Sequence, residues 1–473
     1  MTNVAFTGPD SGLLDAVVRA AARGGGDYAE VFVEDRASLS LRLEDGKIED
    51  AVSGIDRGGS VRVIRGLSTE FGYVDAVDDA SLLGLAHELS RSGGSDVPEG
   101  VRRSASAEST GPAPSVSAEE REAVRRRTVS NAALLRVADE AARALSGEVR
   151  QVTAVYGETS QRVWVAGSDG TRNSDVRTRK VLAVNVMAQR GTLLQMGRET
   201  LAIQGVSGGF SEADVVALAT LAGQKAVIML DSIPAPAGRM PVILSNGFGG
   251  TILHEAVGHG LEADYILKKT SVWEGRLGQR IAGEHVFAYD DGVGQGLWGS
   301  AKCDDEGTPC QRTTVIEAGI LTGYLTDRLR GGKLGLPLSG NGRRQDYRYL
   351  PYPRMTNTYF GPGSWTVDAI IADTPRALYA KSLSGGQVNP ATGEFVFSIS
   401  EGYLIENGKV TTPVRGATLV GSGTEVLLNV DAIADDLDVK SGTCGKEGQG
   451  VPVGAGQPTI RIRELTVGGT SIG

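Results

Sequence analysis

Apolar residues recur along this chain with two different periods, and the period switches where one element gives way to the next. Residues 12–22 space their apolar side chains as a helix does. Residues 28–32, 38–43, 60–64 and 70–74 alternate apolar with polar, the mark of half-buried strands, and residues 79–89 return to the helical period. Residues 90–117 are rich in Ser, Gly, Pro and Ala and predict an exposed linker or flexible loop. A long helical pattern fills 118–145. Its Glu119 and Glu120 suit the positive end of a helix dipole, and Arg125, Arg126 and Arg127 fall where they can pair with a carboxylate such as Glu122, as on a solvated helix face. Residues 149–202 alternate repeatedly, as in an antiparallel meander, and 212–230 read as another helix.

The Pro-containing stretch 233–237 marks a boundary. Beyond it Pro241, Val242, Ile243 and Leu244 read as a short buried strand, and residues 245–250 as a Gly-rich loop. Ile252, Leu253, Ala256, Val257 and Leu261 then form an apolar helical stripe, after which short strands and Gly turns run to the end. The predicted class is α+β: an N-terminal α/β domain over 1–230, with a flexible segment at 90–117, and a mainly β C-terminal domain over 231–473. No internal repeat is evident.

Composition narrows the function. Hydrophobic content of 40% and charged content of 22% are ordinary for a globular protein, and 473 residues can bury a large core without disulfides. A net charge of −9 argues against general nucleic-acid binding. No apolar run reads as long enough to cross a membrane, and the start of the chain lacks the basic and apolar regions of a secretory signal. Three cysteines, an odd number, point to a reducing compartment, so a cytoplasmic location is expected. Cys303 and Cys310 flank residues 304–309 without forming a CxxC pair and are read as incidental thiols ahead of a second metal site.

The chemistry concentrates at HEAVGH, residues 254–259, which holds two of the four histidines with a glutamate after the first. Imidazole is a common metal ligand, and a carboxylate beside a metal-bound water is the usual general base of metal-assisted hydrolysis. The zinc signature HExxH sets its histidines at i and i+4; here the spacing is HExxxH. On a regular helix i and i+5 lie roughly 140° apart and about 7.5 Å apart along the axis, so the rings diverge. A π-bulge would bring them together, and Gly258 supplies backbone freedom for it. The alternative is a plain helix with one buried and one exposed histidine. Glu262 and Asp264 could accept hydrogen bonds behind a metal ligand or face solvent, and Asp264 is read as solvated.

A catalytic zinc usually takes a third protein ligand. His87 sits in an ordinary amphipathic helix, and His285 reads as a strand residue. Cys444 lies in a polar Gly-rich stretch, read as an open loop, with Lys446 two residues on, a setting that suits a thiolate. Spacing alone does not join it to His254. Two decoys are set aside. The GxSxG match at 205–209 lacks a strand-to-helix context and a triad histidine, and the GxGxxG match at 294–299 is not followed by a helix.

LHEAVGHGLEAD at 253–264 closely resembles the signature of the TldD/PmbA family of metallopeptidases. So do DDEGTP at 304–309, GNGRR at 340–344, PRMTNT at 353–358, GGQV at 385–388, LIENG at 404–408 and CGKEGQ at 444–449, in the same order. The resemblance covers nearly the whole chain and is strongest from about residue 241 to 469. It implies an N-terminal α/β region and a mainly β region carrying one zinc ion, held by His254, His259 and Cys444, with Glu255 as base. Every motif residue is present, so the chain resembles the catalytic TldD type and not the motif-less TldE (PmbA) type. The resemblance also implies short or unfolded peptide substrates and a dimer, preferably with a TldE/PmbA-like sister subunit; a homodimer is the other option.

The expected reaction is peptide hydrolysis by a zinc-activated water, Glu255 moving the proton. Arg343, Arg344 and Tyr347 are candidates to bind substrate and steady the developing oxyanion, because Gly340 and Gly342 would let their loop approach the site; a structural salt bridge is the competing role for the arginines. Substrate could bind as an added strand. Two other functions stay open: hydrolysis of a non-peptide amide in a biosynthetic pathway, and a non-catalytic partner subunit with structural zinc.

Overall fold

In the computed structural model, which describes residues 8–91, 101–103, 118–205, 208–389 and 391–469, the alternating segments become long strands. β1 (Tyr28–Glu44), β2 (Lys47–Arg65), β3 (Ser68–Val74), β4 (Val101–Arg103), β5 (Val149–Gly167), β6 (Arg172–Arg190) and β7 (Leu193–Gln204) form one sheet in the order β4-β3-β2-β1-β5-β6-β7. Its pairs are antiparallel except β3–β4. The sequence pattern predicts separate strands at 28–32 and 38–43, yet β1 runs through both. Its polar middle, Glu34 and Asp35, is buried and hydrogen-bonded to Gln161, Arg162, Arg57 and the backbone N–H of Tyr347, so it pairs as well as the apolar ends do.

Four helices cover this sheet. α1 (Ser11–Ala22) and α2 (Asp79–Arg91) pack Val17, Val18, Leu82 and Leu85 against Val31, Val33, Val61 and Val63. α3 (Ala118–Ala144) and α4 (Glu212–Ile228) pack Leu135, Val215 and Ala222 against Val152, Val184 and Val186. α4 opens with a capping box between Ser211 and Asp214. Contrary to the sequence expectation, the stretch Glu212–Asp231 is long and apolar enough to cross a membrane by length and composition; Val215, Leu218, Ala219, Ala222 and Ala226 are buried in the core. The predicted flexible segment lies mostly outside the described residues, although residues 101–103 pair with β3. Val206 and Ser207 of the GxSxG match also lie outside them.

The C-terminal part is mainly β. Gly238–Leu244 sits between Arg376–Val388 and Ile460–Gly468 in an eight-stranded sheet. A six-stranded sheet ends in the strands Gln449–Gln457 and Asp438–Lys446. Between them the HExxxH segment buries Ile252, Leu253, Ala256, Val257 and Leu261 against Met355, Phe395 and Val426. Helices make up 25% of the chain and strands 46%, in an α+β arrangement with an N-terminal α/β region. Gly294–Gly299 lies in a loop with no helix after it.

A buried seam of charge joins the two parts. Arg62 bridges Glu30 and Glu306, Arg344 pairs with Glu30, and Arg177 pairs with Asp305. Asp304 accepts from the backbone N–H groups of Glu306, Thr308 and Gly342, so DDEGTP and GNGRR knit one corner of this seam.

Candidate metal centre

The chain leaves the strand Gly238–Leu244, turns at Gly247 (φ +70°) and enters a helical run in which Gly250 lies directly on the backbone of Gly456. His254–Gly258 is a π-helical turn: the N–H of His259 donates to the carbonyl of His254, five residues back. That wider turn takes up the extra residue of HExxxH. The imidazoles, divergent on a regular helix, stand 5.1 Å apart between ring centres and nearly perpendicular, at 85°. Gly258 has ordinary right-handed angles in that turn (φ −58°, ψ −48°), so what it supplies is space: a Cβ there would overlap Met355 Sδ.

The third member arrives from far along the chain. Cys444 sits in a strand, not in an open loop. Asp438–Lys446 and Gln449–Gln457 form a hairpin closed by Glu447 and Gly448, both at positive φ, as the tightest hairpin turns require. On the partner strand, Gly456 leaves room for the backbone of Gly250. Alternation puts Cys444 and Lys446 on the buried face and Thr443 and Gly445 on the other. Cys444 Sγ lies 3.4 Å from His259 Nε2, and one ligand atom each from His254, His259 and Cys444 fall within 4.8 Å of one another. All three residues are buried, and His254 Nδ1 has no hydrogen-bond partner. Two imidazoles and a thiolate fit a borderline-soft divalent metal such as zinc.

The surroundings orient and charge this group. Glu262, fully buried, lies 3.0 Å from His259 Nδ1 and accepts from Lys446 Nζ at 2.8 Å. Lys446 also donates to Asp264 at 2.7 Å. Asp264 is therefore buried and paired, not solvated as its sequence position suggested, because the hairpin carries a cation across to it. Burial works against the charged form of Glu262, but Lys446 and His259 outweigh it and hold its pKa at about 2. Burial likewise disfavours a charged His259, yet Glu262 and Cys444 raise its pKa well above the usual value. Burial opposes the Cys444 thiolate, and the two imidazoles override it and lower its pKa far below a free thiol's. Arg354 donates to the Cys444 carbonyl at 2.6 Å and pins the hairpin. Glu255 keeps a partly exposed carboxylate 3.7 Å from His259 Nε2.

The other candidates lie elsewhere. Arg343 donates to the carbonyls of Met355 and Pro452, and Arg344 to Glu30, Ser60 and the Asp305 carbonyl. The Tyr347 hydroxyl bonds to Asp56 and Asp75, and its ring presses on Gly58. Arg344 and Tyr347 thus bond to residues of the N-terminal sheet and Arg343 to carbonyls of the C-terminal part, all within the seam between the two parts. His87 is exposed, and His285 sits in a turn, not a strand, with Nε2 3.0 Å from the Val430 carbonyl. Cys303 and Cys310 are free, and burial raises both thiol pKa values, Cys303 to about 12. Residue reading missed Arg354 and the pairing of Lys446 with Glu262. The spacing of Lys446, two positions from Cys444 and so on the same face of any strand, was the available signal for it.

Models of the PmbA/TldA metallopeptidase match the chain in three pieces: domain 1 over residues 29–92, the central domain over 111–230 and the C-terminal domain over 237–469. The chain belongs to the TldD/PmbA family. The Metalloprotease TldD homolog of Haemophilus influenzae is 38% identical, the match covering 94% of this chain and 93% of that protein. A metalloprotease of Methanothermobacter thermautotrophicus is 34% identical over 94% of this chain and 96% of its own length. TldE from Thermococcus kodakarensis has the same fold, with a TM-score of 0.77 at 17% identity, covering 96% of this chain and 99% of that one. Relatives in the TldD/PmbA family named metalloproteases imply a metal and a peptidase role at the family level.

Proposed function

We propose that this chain is a zinc-dependent peptidase acting on short or unfolded peptides. The observation that carries the reading is the π-helical turn that aims His254 and His259 at the same point as Cys444, with the Glu255 carboxylate alongside. His254, His259 and Cys444 would hold one zinc ion, and Glu262 would fix the ring of His259 through Nδ1. When bound, zinc would polarise the scissile carbonyl and acidify the attacking water. Glu255 takes the water's proton on its carboxylate and returns it to the leaving amine. Three protein ligands leave a position open, and the partial exposure of Glu255 suits access by substrate better than a closed structural site. Asp438–Lys446 is the terminal strand of its sheet, so an extended peptide could pair along it next to Cys444. A TldE-like sister subunit and a cytoplasmic location complete the proposal; the unpaired thiols support the second.

The test is metal content and peptide cleavage of wild type and Glu255→Ala, with small amides assayed beside peptides. Retained metal with cleavage lowered by about 10²-fold or more is expected. A metal-loaded variant that cleaves as fast as wild type removes Glu255 from the role, and faster turnover of small amides than of peptides removes the peptidase reading.

A further inference from the structure

A second chemical feature lies on the other face of the Cys444 hairpin. Thr443, Gly450 and Pro452 line a cavity of about 380 Å³ between the N-terminal sheet and the C-terminal part. Strand alternation turns Thr443 away from Cys444, so this cavity is separate from the metal centre. Its charged lining is one-sided: Arg36, Arg177, Arg179, Arg343 and Arg344 against the single carboxylate of Asp305.

Two of these cations are matched. Arg177 pairs with Asp305 and Asp175, and Arg344 with Glu30. Among the described residues, Arg36, Arg179 and Arg343 have no carboxylate within ion-pair distance. Arg179 and Arg343 are 6% and 8% exposed and donate only to backbone carbonyls: Arg179 to Trp298 and Ser300, Arg343 to Met355 and Pro452. Carbonyl dipoles satisfy donors but do not cancel charge, and an uncompensated buried charge is costly. Burial, reinforced by Arg177 and Arg343, pushes the pKa of Arg179 down to about 9. An arginine gives up its proton too reluctantly to relieve this. A bound anion would relieve it, and guanidinium forks match oxyanions in geometry.

We propose that this cavity binds a small multivalent oxyanion, held by Arg36 and Arg179 from the N-terminal sheet and Arg343 from the C-terminal part. The proposal does not depend on the peptidase reading. The anion would bridge the two parts of the chain behind the hairpin that carries Cys444. Phosphate-type and polycarboxylate-type anions share the required chemistry.

The experiment is calorimetric titration of the full, metal-loaded chain with sodium phosphate and, separately, sodium citrate, against sodium chloride at equal ionic strength. Saturable binding of one equivalent is expected for at least one of the two anions, and the one preferred identifies the ligand type. Arg179→Gln and Arg36→Gln should each weaken it about tenfold or more, the loss of one charge-assisted contact, while the exposed Arg463→Gln leaves it unchanged. Circular dichroism reports whether each variant folds. Arg36→Gln, at a partly exposed position, keeps the test open if Arg179→Gln does not fold. No saturable binding of either anion, or binding undiminished in a folded variant, overturns the proposal.

Discussion

Replacing Glu262 with Gln asks whether one buried carboxylate holds the metal centre in shape. Glu262 has no solvent exposure and touches His259 and Lys446. In the metal-free protein burial alone would raise its pKa, yet Lys446 and His259 lower it from 4.5 to about 2. At about 1.36 kcal/mol per unit, that depression corresponds to roughly 3 kcal/mol, with no solvent at the carboxylate to screen it. Breaking a buried ion pair from one side costs about 3–5 kcal/mol, and Asp264, which still holds Lys446, places the loss at the lower end. A depressed folded-state pKa means that this stability is complete above about pH 4.5 and is lost as the pH falls towards 2. Denaturant unfolding of chelator-treated wild type and Glu262→Gln is therefore expected to differ by about 3 kcal/mol at pH 7, the gap narrowing to roughly half by about pH 3 and closing towards pH 2. In loaded protein, chelator competition should show metal affinity lowered about 10–100-fold, because His259 loses the acceptor that orients its ring. A gap below about 1 kcal/mol at pH 7 together with unchanged metal affinity would refute the reasoning.

Gly258→Ala drives a methyl into Met355 Sδ and is expected to cost about 1–3 kcal/mol and to weaken metal binding; wild-type stability and affinity would show that the π turn tolerates a side chain. Arg62→Met leaves the buried Glu306 carboxylate without its guanidinium and should lower unfolding stability by about 3–5 kcal/mol, an expectation that fails if urea midpoints coincide. Burial pushes the Glu34 carboxyl up from 4.5 to about 7 despite the hydrogen bond from Gln161. Because the folded form binds the proton more tightly, wild type loses stability as the pH rises from about 4.5 to 7. Glu34→Gln, with the Gln161 amide free to turn over, should gain on wild type by about 3 kcal/mol between pH 4 and 8; parallel stability curves would contradict this.

Periodicity by itself was enough for the helices at 12–22, 79–89 and 118–145, the meander, and the helix at 212–230, because each buries one face and the burial imprints its period on the residues. The HExxxH spacing likewise posed a widened turn against a plain helix with one buried histidine, since two rings five positions apart cannot converge on a regular helix, and the fold contains the turn. What required the tertiary structure was everything that depends on a distant partner. β1 runs unbroken through Glu34 and Asp35 because partners on neighbouring strands and in the C-terminal part satisfy them, and no local pattern records that. Asp264 looked solvated because its cation comes from Lys446, 182 residues away. Arg343, Arg344 and Tyr347 looked available because their acceptors lie on other elements. Cys444 was a candidate by composition, but its 3.4 Å approach to His259 is decided by which face of the hairpin it occupies. Local sequence encodes which side of an element is buried; only the packed chain decides which charges and ligand atoms meet there.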